Sequence, residues 1–429
     1  MAAILMMGSL VLTSCDDDDD DEPPVNQGDG TTRITQNTTW EGDMVHTLTG
    51  RTIVTNGATL TIEPGAIIKA AEGAQSLASL LIIAQGAKID AQGEPDNPII
   101  FTSVLDQIEA EPGPGPIESP NLGINNAGLW GGLVILGNAP ISADASIEQI
   151  EGIPASVAEG QYGGSDPMDD SGILRYVSIR HAGTTLSEGN DLNGLTLGGV
   201  GENTQIDHIE IVANFDDGIE PFGGNVNVSD ILVWAQGDDA YDVDQAYSGT
   251  IENFIYIAGP DSDHGLEIDG PEGTTSGSVT LRNGSLKGLG AVSPNSDGEF
   301  DGPSYADFRD GAEGTFENLY FFNFSQNSDV ELDEAVDDED NPLPEQPNVD
   351  NYLNGILNFV NWEFNTSHLS EGNTTIDDIF DDTTDSGAFQ QQAPDAQIVT
   401  QPSMGVGADK SEFVGWTLAD AEGELDDFE

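Results

Sequence analysis

Residues 204–270 read TQIDHIEIVANFDDGIEPFGGNVNVSDILVWAQGDDAYDVDQAYSGTIENFIYIAGPDSDHGLEIDG. A short apolar strand is followed three times by an acidic turn. The strands run from Ile206 to Val212, Val226 to Trp234 and Ile251 to Ile257; the turns are Asp216-Asp217-Gly218, Asp238-Asp239-Ala240 and Asp263-His264-Gly265. Asp217 and Asp239 are 22 residues apart, and Asp239 and Asp263 are 24 apart. A period of that size is the mark of a solenoid, in which each repeat buries its apolar face only by stacking on its neighbours.

The same plan extends outward. Residues 39–70 alternate β-branched residues with turns at Asn56-Gly57 and Pro64-Gly65, and residues 80–103 repeat it. Gly249 to Ile257 (GTIENFIYI) and Gly314 to Phe322 (GTFENLYFF) are near copies, with Asn253 and Asn318 either pointing outward or forming an internal amide ladder. No long helical periodicity interrupts them. The fold class expected is all-β: one right-handed parallel β-helix, with loop insertions at 106–127 and 155–171 and a C-terminal cap. The body is placed at 38–324, and 325–429 is read as an acidic loop, a last coil over 352–364 and the cap, with Phe413 and Trp416 closing the open end.

Charge narrows function. Against 78 Asp+Glu stand 10 Lys+Arg, a formal net charge of −68. Such a surface repels phosphate backbones and attracts cations, which excludes nucleic acid as a partner. Adaptation to a salty medium and selective calcium binding both account for it. The single cysteine, Cys15, rules out an intrachain disulfide. Residues 2–12 are an apolar run too short to span a membrane, and residues 16–22 are a solvated run of acids.

Leu12-Thr13-Ser14-Cys15 resembles the lipobox of bacterial lipoproteins, which implies a signal peptide over 1–14 and a lipid on Cys15. Residues 15–37 then form an acidic tether, similar to the surface-export signal of Bacteroidetes lipoproteins. The stretches LTIEPGAIIKA, PIIFTS, LWGGLVILGNAPI, YVSIRHAG, NGLTLGGVG, FDDGIEPFGGNV, GDDAYDVDQAYSG and GADKSEFVGW resemble a family of surface β-helix lipoproteins of Bacteroidetes and related marine bacteria. That resemblance implies an outer-membrane protein facing outward, often near TonB-dependent uptake systems, with no established reaction.

Neighbouring coils lie about 4.8 Å apart, so residues in register nearly touch. Asp217, Asp239 and Asp263 or His264 form one ladder, with Glu220, Asp242 and Glu267 beside it. Stacked carboxylates repel, and must take up protons, splay into water or share a cation. Calcium accepts six to eight oxygens; the candidate ligands are Asp216, Asp217, Glu220, Asp238, Asp239, Asp242 and Asp244. Tyr241, Tyr247 and Trp234 are candidates to stack on a sugar.

Two function classes follow. One is a binding or structural module for a glycan, nutrient or adhesion partner, stabilised by calcium. The other is a carbohydrate-active enzyme, because the order Asp216-Asp217-Gly218, Asp238-Asp239, His264-Gly265 resembles the polygalacturonases. In that resemblance Asp238 or Asp239 is the acid, Asp217 a base and His264 a tuning partner, with inverting carboxyls 6.5–9.5 Å apart. Asp263 stands where that family has glycine before the histidine, and no Arg-x-Lys follows. A polysaccharide lyase would draw on calcium and on Arg180 or Arg282 as base.

Overall fold

Runs of Ile, Val, Leu and Phe broken every few residues by Gly, Asn or Asp favour short strands joined by tight turns. In the computed structural model these strands stack into two large sheets, of 11 and 15 strands. It describes the backbone of 25–26 and residues 30–73, 78–110, 118–143, 145–185, 191–273, 275–292, 302–334, 347–369, 375–380 and 387–429. Cys15, the signal peptide expected over 1–14 and most of the expected acidic tether lie outside the described residues.

The chain alternates between the sheets, one coil per cycle. Successive front strands are Leu195–Gly198, Ile219–Phe222, Tyr241–Val243, His264–Asp269, Ser304–Arg309 and Val330–Leu332, each parallel to the next. The matching back strands are Gly172–Arg180, Gln205–Val212, Asn227–Trp234, Thr250–Ile257, Val279–Lys287 and Gly314–Phe322. This is the parallel β-helix that the repeat implies. Stacking starts at Thr31–Ile34 and continues to Ala396–Ile398, past both ends of the 38–324 span.

Each back strand bends at one residue with left-handed backbone: Tyr176, His208, Asp230, Asn253, Asn283 and Asn318 have φ between 47° and 60°. Asn and Asp tolerate that conformation best among residues with a Cβ. Asn318 donates to Asn283 (3.1 Å), Asn361 to Asn318 (2.8 Å) and Asn253 to Asp230 (2.6 Å). The asparagines therefore point outward and pair along the half-exposed outer bend, and do not form the alternative internal ladder. Inside the tube Ile209, Ile231 and Phe254 meet Ile219, Tyr241 and Leu266.

The insertions and the C-terminal region cover particular surfaces. Ile141, Ile150, Ile153, Val157 and Tyr162 pack over Leu136 and Phe222 on the early front face. Asp106 and Ser119, from the 106–127 excursion, hydrogen-bond each other against the early back sheet, where Ser119 also accepts from Arg180. The far end is plugged by the helices Pro347–Leu353 and Ala388–Gln391, whose Tyr352 and Phe389 pack with Phe380 on Phe359. Phe413 and Trp416 lie elsewhere, in a strap along the flank of the back sheet. There they cover Val212, Leu232, Trp234, Ile255 and Ile257.

Candidate functional site

The register of the front sheet aligns its outward side chains into columns. Ile219 pairs with Tyr241 and Tyr241 with Leu266, so Asp217, Asp239 and His264 share one column. His264, and not Asp263, is therefore the third rung. The neighbouring column runs Glu220, Asp242, Glu267, Asp307, Glu331. Beyond it Asp244 and Asp269 lead to Arg309. Asp307, Glu331 and Arg309 are members that the repeat did not reveal, because residues 270–303 interrupt its period before the Ser304–Arg309 strand.

Hydrogen bonds fix the first column. Asp239 Oδ1 accepts from the His264 backbone N–H (2.8 Å) and faces its Nδ1 at 2.9 Å, while Asp217 Oδ1 accepts from the Asp239 N–H (2.9 Å). Asn193 donates to Glu220. Arg309 donates to Glu267 and, through Nε, to Asp269 Oδ1 at 3.0 Å. Along these columns His264 and Arg309 are the cationic side chains among the described residues.

Burial dominates the electrostatics. It raises Asp217, Glu220 and Asp242 well above the usual carboxylate range, and each neighbour's charge adds to the effect. Glu267 rises to about 11, by burial and the charges of Asp239 and Asp242, against the pull of Arg309. Burial and nearby acids lift Asp307 and Asp244 to about 7. For His264 burial acts downward, but the hydrogen bond and charge of Asp239, with Asp263 and Asp307, outweigh it and hold the ring up at about 9.

Three groups place ligand atoms within 4.8 Å of one another: Asp217, Glu220, Asp242; Asp216, Asp217, Asp238; and Asp239, His264, Glu267. The first two offer oxygen alone, the donor set a hard cation requires. Asp242 Oδ1 is buried and accepts no hydrogen bond among the described residues, so this carboxylate fits calcium. The third group does not, since Nδ1 of its histidine already faces Asp239.

Several expected roles are not met. Tyr241 is fully buried and its hydroxyl donates to the carbonyls of Ile231 (3.0 Å) and Ile255 (2.8 Å). Tyr247 donates inward to Val226 O. Trp234 is 6% exposed beneath the strap. None of the three can stack on a sugar, because outward and inward positions alternate along these strands and these rings face other parts of the chain. Asp217 and Asp238 offer oxygens within 4.8 Å, short of the inverting separation. Asp239 is 3% exposed and bound to His264. Arg180 is fully buried beside Ser178 and Glu210, and Arg282 pairs with Glu252 on the back sheet. Neither arginine faces the acidic columns, so neither is placed as a lyase base.

Asp216 and Asp238 instead face a cleft of about 310 Å³ at the corner where back strands turn into front strands. Its other walls include Asp191, Asn214, Phe215 and Gln236, with Ile124, Asn125 and Ala127 from the first insertion. Burial and the charges of Asp191 and Asp238 raise Asp216 to about 8. Burial and Asp239 raise Asp238 to about 6.

Residues 32–417 match the family model of the pectate-lyase like beta helix domain. The chain belongs to that family. No curated protein and no solved structure matches it. As a pectate-lyase-like β-helix it is a carbohydrate-related protein by family.

Proposed function

We propose that this pectate-lyase-like β-helix is a surface-displayed carbohydrate-binding module whose acidic front face is stiffened by calcium. The observation that carries the reading is the column of buried and half-buried carboxylates from Glu220 to Glu331, beside which only His264 and Arg309 supply positive charge among the described residues. Asp217, Glu220 and Asp242 would hold the ion, with Asp239 and Asp244 adjoining. A cation bound only by the folded state adds roughly 2.7 kcal/mol at a hundred times its dissociation constant. Thermal melting at constant high salt is therefore expected to show a drop of several degrees on adding chelator, reversed by calcium. Equal melting temperatures would remove the ion from the reading.

The second reading, a carbohydrate-active enzyme, is favoured by one observation: Asp216 and Asp238 line an open cleft with pKa values raised to about 8 and about 6. Product release from glycans, lost in Asp238→Asn, would support it over pure binding.

For location, the reading is a mature chain anchored in the outer membrane through Cys15, facing outward, beside a TonB-dependent transporter that would receive the captured glycan. Cys15→Ala is expected to move the protein from the membrane fraction to the soluble one. Proteinase applied to intact cells should degrade the wild type. Retention of the variant in the membrane, or protection of the wild type, would overturn the anchor or the outward orientation respectively.

A further inference from the structure

The cleft at the corner of the coils differs from the front-face columns in what it presents. Its carboxylates are Asp191, Asp216, Asp238 and Asp261, and no Lys, Arg or His lines it among the described residues. The side-chain oxygens of Asn214 and Gln236, residues 1% exposed, accept no hydrogen bond among the described residues, and neither does Asp191 Oδ1. These unsatisfied acceptors call for a donor-rich ligand, since a buried acceptor left unpaired costs about 1–3 kcal/mol. Phe215, at the same edge, is 49% exposed, an aromatic face open to solvent.

A ligand can be matched to that inventory. A polyuronate would bring carboxylates to Asp216 and Asp238 with no basic side chain to receive them; the nearby front-face arginine, Arg309, is held by Glu267 and Asp269. A protonated amine reverses the sign, forming charge-assisted hydrogen bonds with carboxylates. The apolar face of a sugar ring suits Phe215, and its hydroxyls suit the oxygens of Asn214 and Gln236. The volume is at the small end of ligand pockets, which run from about 300 Å³ upward, and fits one or two sugar units.

We propose that this cleft binds an amino-sugar glycan, with Asp216 and Asp238 holding its ammonium group and Phe215 carrying the ring. This rests on the carbohydrate-binding reading, and the ligand is opposite in charge to a polyuronate.

Calorimetric titration of the full chain at fixed moderate salt tests it. The probes are a glucosamine hexamer, an N-acetylglucosamine hexamer, and a galacturonate hexamer with calcium or chelator. The glucosamine hexamer is expected to bind at least tenfold more tightly than the other two. Asp216→Asn combined with Asp238→Asn, and separately Phe215→Ala, should each weaken it about tenfold, roughly 1.4 kcal/mol. The distant exposed pair Glu422→Gln and Asp426→Asn should leave it within twofold. Equal binding of the N-acetylated hexamer, preference for galacturonate, or an equal loss in the distant pair would overturn the amino-sugar assignment alone. Binding of none of the three would bring down the carbohydrate-binding reading as well. If the double variant fails to fold, the solvent-exposed Phe215→Ala carries the test.

Discussion

Asp239 and His264 show how one pair sets the character of the acidic face. The carboxylate accepts from both the backbone and the ring of the histidine one coil on, which holds the ring charged across neutral pH. Its pKa lies near 9 in the fold against 6.5 in the unfolded chain. The histidine's contribution is therefore complete below pH 6.5 and is lost as pH rises through about 9. Chemical unfolding of His264→Gln should show a deficit on the order of 2 kcal/mol in mildly acidic buffer that fades toward alkaline pH. A deficit independent of pH would mean that the ring acts by shape and not by charge. The residue scale also shows where sequence reading stops. The column of Glu220, Asp242 and Glu267 was visible because the turns keep their offset of three residues, whereas the inward aim of Tyr241 depends on which residue begins a strand of only three.

At the scale of the element, the strand bend carries the regularity of the coils. Asn253, Asn283 and Asn318 occupy left-handed backbone and bond to their neighbours along the bend. Asn318→Gly keeps the conformation and loses the amide pair; Asn318→Ala loses both. Alanine should therefore cost about 1 kcal/mol more than glycine in urea unfolding, since a left-handed residue with a Cβ costs roughly 1–2 kcal/mol. Equal costs would show that the amide bonds alone matter there. The repeated Glu-Asn pair in both near-copied strands made this position visible in the sequence. The strap was not visible: Ala419 N–H donates to Glu210, 209 residues away, and no local pattern reports a contact of that range. The end plug was hidden in a similar way: Phe380 and Phe389 read locally as isolated apolar residues in an irregular region, and Tyr352, read as the start of the last coil, lies in the helix Pro347–Leu353.

For the whole molecule, the formal charge of −68 and the raised carboxylates make one statement about pH. Asp216 and Glu331 near 8, Asp244 and Asp307 near 7 and Glu267 near 11 all bind protons more tightly in the fold than in the unfolded chain. Below about pH 4 both states are protonated. Above it the unfolded chain ionises first, so stability falls as pH rises toward 8 in cation-free solution. Melting temperature in chelator should accordingly decline from pH 5 to pH 8, and calcium should flatten the decline by replacing protons. A rise over that interval would contradict the buried, proton-holding face.

The strap also changes how the tube comes apart. A ladder built coil on coil can be peeled one row at a time from either end. Residues 407–428 touch rows containing Tyr176, His208, Asn253, Ser285, Asn318 and Phe322. They run along the tube like stitching across the plies of a rope. Tension applied at the N terminus would therefore reach the stitched rows, from Gly172 onward, only after the rows up to Ser103, which residues 141–162 cross instead.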